Sequence, residues 1–211
     1  MKRFEIITES DARTLERGST VALASGGHVT PLARDTLRER RIIVVRDDQL
    51  LESEGDLVPV MPVRTVAIGS DHTGVALKQQ VSATLRAAGI AVHDLGTHDT
   101  APVDYPEIAA RVARAVASRE ADAGVAIDGA GIGSCIAANK IDGVRAAMCT
   151  TETIARYSRE HNGANVLCLG ATLLSPEQAV AIVTVWMQTA IREPRYIRRL
   201  ASLRALERDG R

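Results

Sequence analysis

The chain has 211 residues, 45% of them apolar and only 2% aromatic, and its 26 basic residues balance 26 acidic ones for a formal net charge of +0. Neutral charge and scarce aromatics exclude a general nucleic-acid surface, which needs basic side chains and stacking rings. No run approaches the roughly 18 apolar residues of a membrane span, and the length suits one domain of about 150 residues with an appendage, or two small domains.

The N-terminus, MKRFEIITESDA, has no apolar signal core. Thr8 and Asp11 have the spacing of a capping box, and Gly18 can end the short helix that follows. TVALA (20–24) reads as a strand. Thr30 before Pro31 reads as a cap with proline at the first helical position, and the helix PLARDTLRERR leads to the strand IIVV (42–45). This makes a small α/β module of about 50 residues, marginal in size for stability on its own, so a docking role is expected. The stretch 47–64, acidic and then carrying Pro59 and Pro62, reads as a linker, which divides the chain into 1–60 and 61–211.

Beyond it, strands and helices alternate. Strands are expected at 65–69, 91–96, 123–128, 144–149 and 166–170, and helices at about 74–88, 105–118, 134–140, 152–161, 176–190 and 194–207. Ser175, Pro176 and Gln178 mark a helix start. The strands are near-continuous apolar runs, as in sheets covered on both faces. The pattern predicts a doubly wound parallel sheet with ligands at the C-terminal strand ends. The small and β-branched apolar residues suit such layered packing. Cys135, Cys149 and Cys168 are odd in number and form no C-x-x-C, so they read as reduced, buried thiols of a cytoplasmic protein.

The run IDGAGIGSCIAANK (127–140) follows the third of these strands. Alternating Gly129, Gly131 and Gly133 let the backbone turn tightly and point several N–H groups at one small anion. Asp128 stands beside that cradle, an arrangement suited to chemistry through an anionic intermediate such as an enediolate. The alternative is a plain strand-to-helix turn. The spacing matches neither the dinucleotide fingerprint nor the nucleotide phosphate loop. Other polar groups gather at strand ends and helix starts: Asp71 and His72 in GSDHTG, His161 and Asn162 in SREHNGAN, and Arg195 and Arg199 on one face of the last helix. Each has a structural alternative. Asp71 could merely cap a helix, His161 and Asn162 could close one, and the arginines could be a solvated face. His93 and His98 show no metal-binding spacing.

Together these segments resemble the family of ribose-5-phosphate isomerase B and the galactose-6-phosphate isomerase subunits. The resemblance is carried by GSDHTG (69–74), LGTHDTAPVDYPEIA (95–109), DGAGIGSCIAANKIDGVRAA (128–147), SREHNGANVLCLG (158–170) and the Arg195/Arg199 pair, over about two thirds of the chain. It implies a Rossmann-like three-layer α/β/α sandwich with a mainly parallel five-stranded sheet, forming a homodimer or dimer of dimers with sites at the dimer interface. It also implies aldose–ketose isomerisation of a phosphorylated sugar without metal or organic cofactor. Carried over by position, His161 assists ring opening and Asp71 and His72 contact the sugar. Asn162 and the loop N–H groups of Gly129, Gly131 and Gly133 hold substrate and enediolate oxygens, and Arg195 and Arg199 grip the phosphate.

The match departs from the family at its base. Many members place a cysteine where this chain has Asp128, another branch uses a glutamate where it has Ser134, and a common threonine is Ala130 here. Cys135 lies one residue past the glutamate position. A carboxylate ordinarily titrates at about 3.9 against about 8.5 for a thiol, so Asp128 needs burial to serve as an efficient base near neutrality. The chain is therefore either an isomerase using Asp128, or one whose chemistry is redirected or lost while sugar-phosphate binding persists. The phrase VTPLARDTLRERRIIVV (29–45) resembles short segments on some enzymes of bacterial microcompartments, which implies docking to shell or lumen partners. The alternative is an extension that covers the dimer or the edge of the site.

Overall fold

The computed structural model describes residues 2–46 and 57–209. The chain folds into two compact units: residues 1–56 with 193–198, and residues 57–192 with 199–211. Most of the expected linker, 47–56, lies outside the described residues.

The first unit holds a three-stranded parallel sheet in the order β1–β2–β3, formed by β1 (Arg3–Ile7), β2 (Thr20–Val29) and β3 (Ile43–Arg46). The capping box at Thr8 and Asp11 is present and starts α1 (Glu9–Thr14). Pro31 begins α2 (Pro31–Glu39), but the Thr30 side chain makes no capping bond. The two helices pack against each other, and Ile7, Leu15, Val21, Leu23 and Leu37 form the core beneath them. Strand β1 was not expected from the sequence. Its residues RFEII are mostly exposed, so apolar patterning marks it weakly. Strand β2 runs five residues further than TVALA, through two glycines, with a register shift against β1 between Phe4 and Ile6.

The second unit is a five-stranded, all-parallel sheet in the order β5–β4–β6–β8–β7. Its strands are β4 (Thr65–Ser70), β5 (Ala91–Asp94), β6 (Ala123–Asp128), β7 (Ala146–Met148) and β8 (Val166–Gly170). Its helices are α3 (Val75–Ala87), α4 (Tyr105–Ala117), α5 (Ile132–Ala138), α6 (Glu152–Glu160), α7 (Pro176–Gln188) and α8 (Pro194–Asp209), whose first turn belongs to the other compact unit. Strand alternation sorts the two faces by size. Val66, Ile68, Val125, Ile127, Leu167 and Leu169 pack under α3, α6 and α7. Ala67, Ala126 and Cys168 face α4 and α5, where alanines allow close approach. The result is the three-layer Rossmann-like sandwich.

Two strands are shorter than the sequence suggested. β5 stops at Asp94 because Gly96 turns with φ +96°. β7 starts only at Ala146, whose N–H and C=O are both taken by the Asn139 side chain, at 2.9 Å each. The chain passes from β4 to β5 on one side and then returns to β6 on the other. The crevice between the C-terminal ends of β4 and β6 is therefore the topological switch point, where open α/β sheets bind ligands.

Candidate active site

Asp71 and Asp128 flank that crevice, at 6% and 4% exposure. Asp71 follows β4 and is tied to β6 by its backbone N–H, which donates to Ile127 O at 3.0 Å. Its Oδ1 accepts the N–H groups of Thr73 at 2.9 Å and Gly74 at 3.2 Å and the Thr73 hydroxyl at 2.6 Å, so it caps a single 3-10 turn ahead of α3. His72 Nδ1 accepts the N–H of Val103 at 3.3 Å. In the neutral ring this leaves the proton on Nε2, the nitrogen that can donate to a ligand.

The glycine loop is closed on Asp128 itself. Its Oδ1 accepts the N–H of Ala130 at 2.9 Å and a very short bond from the N–H of Gly131, and its Oδ2 accepts the N–H of Ser134 at 2.7 Å. The carboxylate thus occupies the cradle expected to hold a substrate oxygen. A Cβ at Gly129 would lie 3.7 Å from Thr73 Oγ1, so the DHTG turn and the glycine loop face each other. Gly131 turns with φ +77° and presses backbone to backbone on β8, where a Cβ would fall 2.8 Å from the Leu169 carbonyl carbon. At Gly133 a Cβ would fall 2.5 Å from the ring of Tyr105.

The remaining expected residues lie elsewhere. In a parallel sheet a connecting helix begins at the C-terminal strand ends and finishes at the N-terminal ends. Helix α6 follows β7, so His161, its C-cap, and Asn162 stand at the end of the sheet opposite Asp71 and Asp128. His161 stacks on Tyr157 with ring centroids 4.6 Å apart. Asn162 lines a cavity of about 410 Å³ with Asn139, Arg145, Ala147 and Leu203. Arg195 belongs to the first compact unit, where its Nε sits 2.6 Å from Glu193 and its Nη2 donates to the Tyr196 hydroxyl at 3.0 Å. Arg199 is an exposed residue of α8 in the second unit.

Two groups that brace the turns around the crevice were not singled out by sequence reasoning. Lys78, 1% exposed, donates to Asp94 at 2.5 Å and to Thr97 O at 2.6 Å. Thr172 donates twice to Gly129 O, from N–H at 2.9 Å and from Oγ1 at 2.7 Å. A usable signal existed for Thr172: it follows a strand's C-terminal end, where parallel sheets place their functional residues. Among the described residues no three His, Cys, Asp or Glu side chains gather as a metal site, and no helix is long and apolar enough to cross a membrane.

Comparison with known proteins fits this geometry. The Ribose/Galactose Isomerase family profile matches residues 66–203. Ribose-5-phosphate isomerase B of Escherichia coli is 39% identical over 145 residues, covering 69% of this chain and 97% of that protein. The probable ribose-5-phosphate isomerase B of Mycoplasma pneumoniae is 36% identical over 68% of this chain and 95% of its own length. Among solved structures, ribose-5-phosphate isomerase B of Clostridium thermocellum superposes with a TM-score of 0.69 at 41% identity, covering 70% of this chain and 99% of that one. The Mycoplasma genitalium enzyme, solved with bound ribulose-5-phosphate, has a TM-score of 0.66 at 36% identity, covering 68% and 96%.

Proposed function

The chain belongs to the Ribose/Galactose Isomerase family, and from that premise we propose that it interconverts an aldose phosphate and a ketose phosphate through a cis-enediolate, with Asp128 as the base. The observation that carries this reading is the Asp128 carboxylate at the switch point, held by three backbone N–H groups. Asp128 takes the proton from C2 of the open-chain aldose, the C–H electron pair becomes the C1–C2 double bond, and negative charge gathers on O1. The O2–H proton passes to O1, the charge left on O2 collapses to the C2 carbonyl, and the C1–C2 pair takes the proton back from Asp128 at C1. As the carboxylate is neutralised, its hold on the loop N–H groups weakens and they can turn to the enediolate oxygen, where oriented donors act most strongly. Asp71, His72 and Asn162 bind sugar oxygens, His161 helps open the ring, and Arg195 and Arg199 hold the phosphate, a task suited to guanidinium groups.

The site needs two copies of the chain. Support comes from the opposite placement of Asp128 and His161 along one sheet, which lets them meet only if a partner supplies one of them. Residues 61–211 form the isomerase domain in this reading. Residues 1–60 serve as a docking or targeting module, and deleting them should abolish co-purification with partners.

A second reading is a protein that binds a sugar phosphate without turning it over, or one with a redirected substrate. It draws on the same hydrogen bonds, which engage both oxygens of Asp128 inside its own loop. The test is proton exchange by NMR in D₂O with four-, five- and six-carbon aldose and ketose phosphates. Deuterium at C1 or C2, with appearance of the partner sugar, supports the isomerase and identifies its substrate. Binding without exchange supports the second reading. The D128N variant should lose turnover by about a hundredfold or more while phosphate-ester binding survives.

A further inference from the structure

One peptide unit of the glycine loop is held from both ends. The carbonyl of Gly129 accepts two hydrogen bonds from Thr172, one from its N–H at 2.9 Å and one from its Oγ1 at 2.7 Å. The N–H of the same peptide, on Ala130, donates to Asp128 Oδ1 at 2.9 Å. Next to it, the N–H of Ala171 donates to the Asp128 carbonyl at 2.8 Å. The chain leaving β8 therefore lies along the first two residues of the loop and fixes the plane of the peptide that points at the carboxylate. Hydrogen bonds in series also polarise one another: donors on a carbonyl strengthen the N–H at the other end of that peptide.

We propose that Thr172 is a positioning residue for Asp128, acting through the Gly129–Ala130 peptide, with its hydroxyl setting the strength and direction of the Ala130 N–H. This deepens the isomerase reading and rests on Asp128 being its base. Thr172 needs no contact with substrate for this role. Its side chain is at the surface and its backbone bond survives substitution, so changing the hydroxyl leaves the fold in place.

The test compares T172V, which keeps the shape and removes the hydroxyl, with T172S, which keeps the hydroxyl, in the full-length chain. Turnover of the sugar phosphate identified by exchange is measured alongside the amide proton of Ala130 in ¹⁵N-labelled protein. For T172V, kcat should fall about three- to tenfold with KM unchanged, the scale of one hydrogen bond. The Ala130 amide should move upfield. T172S should restore both. An unmoved Ala130 amide in T172V, a rise in KM at constant kcat, or failure of T172S to rescue would each overturn the proposal. If the wild-type protein turns over no sugar phosphate, the isomerase reading fails. The Ala130 resonance then decides the positioning claim without it: a shift in T172V that T172S reverses upholds it, and no shift overturns it.

Discussion

Lys78 is sealed from solvent, yet its ammonium reaches Asp94 Oδ1 at 2.5 Å and the Thr97 carbonyl at 2.6 Å. Thr97 N–H in turn donates to Ser70 O at 2.7 Å, and Ser70 N–H donates to Gly96 O at 2.7 Å, directly before Asp71. The ion pair thus pins the turn after β5 against the end of β4, one residue before Asp71. Burial by itself would push Asp94 up, but the Lys78 ammonium, the Gly96 N–H and the nearby His98 outweigh it and hold its carboxyl below the usual range. A lowered folded value means stability that is present above the unfolded carboxyl value of about 3.9 and is lost as pH falls through the folded one. K78M should cost about 1–2 kcal/mol at neutral pH, less than a fully buried pair because Asp94 keeps contact with water. It should also flatten the loss of stability below about pH 4. Urea denaturation of both proteins between acid and neutral pH checks this. Parallel acid limbs would contradict the role given to the pair.

The glycines of the loop are not equivalent. Gly131 combines positive φ with contacts to the backbone of Leu169 and Gly170, neither of which can swing aside. G131A should therefore destabilise by about 2–3 kcal/mol, and no second substitution should rescue it. At Gly133 the obstacle is the far end of the Tyr105 ring, in a residue that is 41% exposed and can turn outward. G133A should cost less, about 1 kcal/mol, and the double variant with Y105A should recover the difference, a coupling that a double-mutant cycle measures directly.

The cysteines separate by environment. The hydrogen bond from Cys168 lowers the Cys135 thiol to about 7 against the opposing effect of burial. The same contact, with burial, pushes Cys168 well up, and burial raises Cys149 to about 11. Cys135 is half-buried and the other two are buried. The thiolate is the reactive form, so native alkylation should modify Cys135 alone, with a rate that climbs through pH 7. C168S should shift that profile to higher pH. Peptide mass spectrometry after brief iodoacetamide treatment from pH 6 to 9 reads both effects. Equal labelling of Cys149 would contradict the burial assigned to it.

Much of this architecture is legible in the sequence because parallel strands covered on both faces are apolar throughout. Val125–Ile127 and Val166–Leu169 announce themselves in that way, and capping residues such as Thr8 and Ser175 mark helix starts. Strand β1 escapes because it is exposed and its charges hide the alternation. Candidate site residues set by local sequence, such as Asp71 and Asp128, could be placed at strand ends. The capping bonds of Asp71 were open to the sequence as one alternative; the bonds that close the glycine loop on Asp128 were not, because they depend on loop conformation. The partners of Lys78 and Thr172 lie 16 and 43 residues away. Buried Arg159 is another contact invisible in one dimension: its guanidinium lies 4.4 Å over Trp186 and donates to Ala164 O at 2.9 Å. The separation of His161 from Asp128 by the length of the sheet follows from the parallel strand direction.

That separation gives the sharpest test of the proposed two-copy site. Within one chain, Asp128 ends β6 at the C-terminal edge of the sheet, while His161 closes α6 at the N-terminal edge. In a symmetric dimer each site would take Asp128 from one protomer and His161 from the other. D128N and H161A homodimers should then both be inactive, each by about a hundredfold or more. After mixing and subunit exchange, a heterodimer carries one site with both substitutions and one site with neither. Random reassortment makes about half the dimers mixed, so activity should return to about a quarter of the wild-type level. If Asp128 and His161 instead served the same site from one chain, every site in the mixture would carry one lesion and mixing would restore nothing.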